Sequence, residues 1–368
     1  MGNDKIKYIY IQILFIILIC LFYIKRINKY ISLFIKNENN KKRIGIFSYF
    51  DTNNVGNQLV KYAMNFLLKS YGFQPTLISF KVGNTTNNNF LKKFIKIKEI
   101  ENYYTDLNES DYDLLIVNSD QVWAYNFPFI LEVGFLSFSR YWNVKKFIYA
   151  ASTGYSNWIS SNKIINSAKI LIKQFSGVSV REYNSIEIIK KYLGIEPIFV
   201  LDPTFLLDSN DYLEIIKDYK IDFDSSKNYL CSYILDESQI IQDYIKNISF
   251  SYNYKIKRID IDVDEFVEKF IASINICKLM ITDSYHGTVF SIIFKKPFIT
   301  FINNKRGNIR FFSLNQTLNL GNRFIDKNNF SKIDNDVFSK FPNINKTNFN
   351  ILKERSILFL RKNLGLER

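Results

Sequence analysis

The sequence predicts an α/β protein: two doubly wound sheets facing one another across a cleft, preceded by an amino-terminal hydrophobic helix. Three observations carry this. Short apolar runs bounded by polar or turn-forming residues alternate with helical stretches, the signature of βαβ units. The alternation repeats through a second full cycle, and 368 residues suffice for two domains of ordinary size. Finally, Tyr8 to Ile24 is uncharged and dominated by Ile, Leu, Phe and Tyr.

That apolar run sits at the lower limit for a hydrocarbon core of about 30 Å. Lys5 and Lys7 precede it, whereas Lys25, Arg26, Lys29, Lys36, Lys41, Lys42 and Arg43 follow, so the positive-inside rule leaves the carboxyl side in the cytoplasm. Residues 1–43 are therefore expected to form a membrane anchor with a basic linker, with the catalytic body cytoplasmic. Tyr30 to Ile35 adds an apolar patch that a helix lying flat would use, so single-pass and monotopic attachment both stay open. The rival reading, a signal peptide, lacks a small-residue cleavage site.

Residues 44–204 read as a first domain. Arg43 to Phe50 is a strand, Asp51 to Asn57 a turn-rich loop, the stretch through Ser70 a helix, and Thr76 to Phe80 a second strand. Asn84 to Asn89 reads as a tolerated loop insertion. Further strands are expected at Asp113–Val117, Phe147–Ala151, Gly177–Val180 and Ile198–Leu201. Residues 205–345 repeat the pattern with strands at Tyr229–Leu235, Lys255–Ile259, Leu279–Thr282 and Pro297–Ile302. Helices are expected about Gln239–Ser249 and Val263–Ala272 and from His286 onward. An amphipathic stretch about Ile351–Leu364, within residues 346–368, is expected to pack back onto the body.

Charge excludes one function class. Residues 1–43 hold nine basic and two acidic residues, half of the net +14. The body is thus only modestly basic, and no run of interleaved basic and aromatic residues suggests a nucleic-acid surface. Cys20, Cys231 and Cys277 are isolated, which fits a reducing compartment better than a disulfide framework. No cluster has metal-ligand spacing, so no metal is expected.

The chemistry is expected at His286, the single histidine. It follows the apolar run ending at Ile281 and opens the next helix, so it belongs at the carboxyl end of a strand, where open α/β sheets bind ligands. Helix starts attract anions, and imidazole exchanges protons near neutral pH. Gly56, flanked by Asn54 and Asn57, either admits an anion to backbone N–H groups or simply starts a helix. Asp120 and Trp123 could hold a sugar, although a structural tryptophan is an equal alternative. Arg181 follows a strand and could clamp a carboxylate or phosphate, or pair with Glu182. Arg306, Asn308 and Arg310 offer cationic reach, with a solvated loop preferred for Arg306. Asp202-Pro203-Thr204 reads as a structural turn.

In order along the chain stand Asn54-Val55-Gly56-Asn57-Gln58-Leu59 with Tyr62-Ala63-Met64, Ser119-Asp120-Gln121-Val122-Trp123, and Ala150-Ala151-Ser152-Thr153-Gly154. Val178-Ser179-Val180-Arg181-Glu182, Val200-Leu201-Asp202-Pro203-Thr204 and Thr282-Asp283-Ser284-Tyr285-His286-Gly287 follow. These blocks resemble the polysaccharide pyruvyl transferase family over Ile44 to Asp326. The resemblance implies two Rossmann-like halves in a glycosyltransferase B-like arrangement. It also implies transfer of pyruvyl from phosphoenolpyruvate, as co-substrate with no other cofactor, to a sugar of a cell-surface polysaccharide or its lipid-linked precursor. His286 would be general acid and base, with Asp283 orienting it or touching the acceptor. Arg181, Arg310, Gly56, Asn57, Ser284 and Gly287 would face the donor anion, and Asp120 and Trp123 the acceptor. In the family pattern an arginine stands two residues before the histidine. Here Ser284 takes that place, so Arg181 or Arg310 would supply the charge. The alternatives are a glycosyltransferase using a nucleotide sugar and a non-catalytic membrane-tethered scaffold of polysaccharide assembly. Expected partners are the glycan acceptor and the membrane, with no nucleic acid; a homo-oligomer is left open.

Overall fold

The apolar runs become strands of two parallel sheets in the computed structural model, which describes residues 41–49, 54–81, 89–158, 160–220, 223–224, 226–260, 265–326 and 335–366. The first sheet contains β1 (Arg43–Phe47), β2 (Gln74–Phe80), β3 (Ile97–Ile100), β4 (Leu114–Val117), β5 (Lys145–Ala151), β6 (Gly177–Val180) and β7 (Ile198–Phe199). Their order is β3-β2-β1-β4-β5-β6-β7. The second contains β8 (Tyr229–Tyr233), β9 (Lys255–Arg258), β10 (Leu279–Thr282), β11 (Phe298–Phe301) and β12 (Phe324–Ile325), in the order β12-β11-β10-β8-β9. β4 and β10 are buried at every position, which is why they read as continuous apolar runs rather than alternating ones.

Strand order reverses between β1 and β4 in the first sheet and between β8 and β10 in the second. Such reversals open a crevice at the carboxyl ends, because successive connections depart to opposite faces. Both halves thus present a crevice.

The helix Val55–Ser70 follows β1 and is buried along nearly its whole length. It packs against Phe266–Ile276 and Tyr285–Ile293 of the second half. One apolar cluster therefore joins Leu59 and Met64 to Phe270 and Phe290. The helix Lys346–Leu364 lies against the first sheet: Phe359 stands 6.1 Å from Tyr149 between ring centres, and Ser356 Oγ accepts from Leu201 N at 2.9 Å. It starts before Ile351 because Asn345 caps it, its side chain accepting from Asn348 N at 3.0 Å.

Two strands went unread in the sequence. β3 is an edge strand in a lysine-rich stretch and β12 has two residues, so neither shows a buried apolar run. The expected anchor helix falls on residues outside those described, as does the asparagine-rich loop except Asn89, which begins a short helix. Among the described residues no helix is long and apolar enough to cross a membrane.

Candidate active site

The carboxyl ends of both sheets meet at one polar cavity. Asn57 follows β1, Asp120 follows β4, Ser284, Tyr285 and His286 follow β10, and Arg306 and Arg310 follow β11, all in its wall. At the mouth of this cavity Gln121 Nε2 of the first half donates to Arg306 O of the second at 3.1 Å.

His286 is buried, with 4% of its surface exposed. It is the second residue of the helix Tyr285–Ile293, whose start is capped by Ser284 Oγ accepting from Gly287 N at 3.3 Å. Gly56 faces the ring: a Cβ there would lie 1.9 Å from His286 Nδ1. His286 Nε2 is buried without a hydrogen-bond partner and points toward Asp202 Oδ2, 3.7 Å away.

Behind the wall, Arg181 joins three acids. Its guanidinium is fully covered, with NH2 3.0 Å from Asp120 Oδ1, NH1 2.5 Å from Asp202 Oδ2 and Nε 3.3 Å from Glu182 Oε1. Burial pulls the Arg181 pKa down, but Asp120 and Asp202, with Tyr285 and Glu182, leave it above its ordinary value. For Asp120, burial pushes upward, yet Arg181, His286, the Asn57 hydrogen bond and Arg310 hold the carboxyl below the usual range. Asp120 sits at a backbone φ of 124°, a region that an L residue occupies only when its surroundings enforce it. Asn57 Nδ2 supplies one restraint, donating to Asp120 Oδ2 at 2.9 Å, and Gln121 N another, donating to Oδ1 at 2.8 Å.

Arg310 is the contrast. It is buried, and among the described residues it faces no carboxylate at ion-pair distance. Nε and NH2 donate to the carbonyls of Gly307 and Arg306, and its guanidinium lies 5.2 Å from the Tyr285 ring centre. Arg181 lies 5.0 Å from the same ring centre. Burial and the nearby charge of Arg181 depress the Arg310 pKa, the mark of a cation short of negative charge.

Several expected roles are corrected by these positions. Arg181 is saturated by acids and does not line the cavity, so it braces the wall instead of clamping a donor. Trp123 is completely buried, stacks on Phe135 and donates from Nε1 to Gly134 O at 3.0 Å; its large apolar surface was claimed by the core. Gly56 makes room for the imidazole rather than for an anion. Gly287 packs on Thr282, whose Oγ1 would stand 2.3 Å from a Cβ. Asp283 lines the cavity but accepts from Leu235 N at 2.6 Å, Asp236 N at 3.1 Å and Asn303 Nδ2 at 2.9 Å, so it ties loops together and does not orient His286. Arg306 pairs with Asp236 at 2.7 Å.

Sequence reasoning missed Asp202 and Tyr285. The available signal for Asp202 was its place just beyond β7, the same kind of position that Asp120 holds beyond β4 and Arg181 beyond β6. Cys231 and Cys277 are free and buried, and among the described residues no group of three or more His, Cys, Asp or Glu is placed to hold a metal.

Solved structures share the overall arrangement. A UDP-N-acetylglucosamine 2-epimerase structure from Listeria monocytogenes superposes with a TM-score of 0.54 at 10% identity, covering 89% of this chain and 98% of that one. The Neisseria meningitidis UDP-GlcNAc 2-epimerase bound to UDP-GlcNAc gives 0.52 at 10% identity, covering 87% and 100%. At such identities the likeness establishes the fold alone, a glycosyltransferase B-like pair of parallel α/β halves. No curated protein matches the chain. The polysaccharide pyruvyl transferase family model matches residues 54–306, from the cap of the Gly56 helix to the loop after β11. Since that stretch is well over half of the chain and carries His286 with most of its cavity, the chain belongs to the polysaccharide pyruvyl transferase family.

Proposed function

We propose that the protein transfers the pyruvyl group of phosphoenolpyruvate to a sugar of a cell-surface polysaccharide or its lipid-linked precursor, forming a ketal. The observation that carries this reading is the placement in one cavity of the sole histidine and of Arg310, a buried guanidinium with no carboxylate at ion-pair distance among the described residues. A donor bearing both carboxylate and phosphate would supply the negative charge that Arg310 lacks. Arg310 would in turn supply the positive charge that Ser284, at the place of the family's arginine, does not carry.

The chemistry then follows. His286 gives a proton to the methylene carbon of the enol, and the adjacent carbon becomes electrophilic. A sugar hydroxyl attacks that carbon and its proton passes to the imidazole. A second hydroxyl of the sugar then bonds to the same carbon as the C–O bond to phosphate breaks, and its proton leaves with the phosphate, so one donor and one sugar diol give ketal and inorganic phosphate. Asp120, a carboxylate in the cavity wall, would accept a further hydrogen bond from a hydroxyl of the acceptor.

Incubating the protein with phosphoenolpyruvate and an acceptor glycan tests the reading. The expected product gains the mass of pyruvate less water, with one phosphate released per ketal. A hexose-sized gain from a nucleotide sugar would instead identify a glycosyltransferase, and no transfer with any donor would favour the scaffold.

Gly56→Ala is expected to lower turnover by about 100-fold, because its methyl group displaces the imidazole from its seat. Circular dichroism should be unchanged; near-normal turnover would show that the ring tolerates displacement. Membrane attachment through residues 1–43 belongs to the same proposal, supported by the basic-flanked apolar run. A chain beginning at residue 40 should leave the membrane fraction, and its retention there after a high-salt wash would reject the anchor.

A further inference from the structure

Asp202 was read as a turn residue, yet its carboxylate is completely buried beside the chain's one histidine. Both of its oxygens are aimed. Oδ1 accepts from Thr204 N at 3.1 Å and from Thr204 Oγ1 at 2.7 Å, which pins the carboxylate plane. Oδ2 accepts from Arg181 NH1 and from Ser119 Oγ at 3.2 Å, and its remaining neighbour is His286 Nε2. That nitrogen has no other hydrogen-bond partner. The opposite nitrogen, Nδ1, lies along Gly56 in the residue that lines the cavity.

We infer that Asp202 is the positioning residue for His286, selecting the tautomer protonated on Nε2 and leaving Nδ1 to exchange the proton with substrate. A displacement of about 1 Å brings Nε2 and Oδ2 to the length of a charge-assisted hydrogen bond. The carboxylate stabilises the imidazolium and does not take its proton. Burial pushes the Asp202 pKa upward, but His286, Arg181 and Thr204 together hold it below the usual carboxylate range, so it stays ionised. Arg181 and Glu182 act through this arrangement: they fix the oxygen that faces the imidazole.

Because the chain has one histidine, nitrogen-15 histidine labelling yields a single imidazole whose tautomer can be read directly in a long-range proton–nitrogen spectrum. Near or above pH 8, wild type is expected to show the proton on Nε2. A dominant Nδ1-protonated form would overturn the inference, and this arm needs no substrate. The activity arm rests on the proposed pyruvyl transfer: Asp202→Asn should lose the tautomer preference and lower kcat by about 10- to 100-fold, with the KM for phosphoenolpyruvate within about twofold of wild type. Unchanged kcat in a folded Asp202→Asn protein would equally refute it. Should that variant fail to fold, Thr204→Val, which frees the carboxylate plane at constant volume, is expected to weaken the same tautomer preference, and a wild-type spectrum from it would count against the inference. Failure of wild type to make a ketal, with the Nε2 tautomer present, would reject the donor and leave the positioning role standing.

Discussion

Replacing His286 with asparagine is expected to lower kcat by about 10²–10⁴-fold, the range lost with a general acid or base. Asparagine keeps a polar side chain at the helix start but cannot exchange a proton near neutral pH. The helix itself should persist, because its cap is Ser284 and its body is buried through Val289, Phe290 and Ile292. Truncating the ring also opens space toward the cavity rather than a sealed void, so the unfolding midpoint should move little. A packing histidine would give the reverse, a lower midpoint with near-normal turnover per folded molecule. Rate and midpoint measured on one preparation decide the matter.

The second large effect is expected at Arg310. Arg310→Met keeps an apolar side chain against the Tyr285 ring while removing the charge. Losing a charge-assisted hydrogen bond to a donor anion should raise the KM for phosphoenolpyruvate by about 10- to 100-fold, and residual binding should be less sensitive to salt. Stability should not fall with it. Burying a guanidinium without a carboxylate partner is costly, and the depressed Arg310 pKa points the same way, with burial its largest cause. Binding without stability loss marks a cation held for a ligand. An unchanged KM with a lower midpoint would make Arg310 a structural residue and leave the donor's charge unaccounted for.

The two arginines show how far sequence carried and where it stopped. Both follow strands, both are permanently charged, and both were read as donor clamps. Only packing separates them: three carboxylates from different chain segments surround Arg181, one of them 61 residues away in sequence and another 21. No local pattern encodes such a convergence. The same holds for Asp202, whose Asp-Pro-Thr context reads as a local cap, and does cap Thr204, while its other oxygen meets a histidine from the second half.

What the sequence determined by itself was the alternation of strands and helices, the division into two cycles, the family blocks and the position of His286 at a strand end. These are legible because burial of a parallel strand on both faces demands an unbroken apolar run, and because caps and glycines act on their immediate neighbours. The tertiary structure alone decided which charges are spent and which are free, that Trp123 belongs to the core, and that Gly56 serves the imidazole. Those outcomes depend on side chains brought together from opposite sheets, where distances of a few ångströms fix the sign of each electrostatic effect.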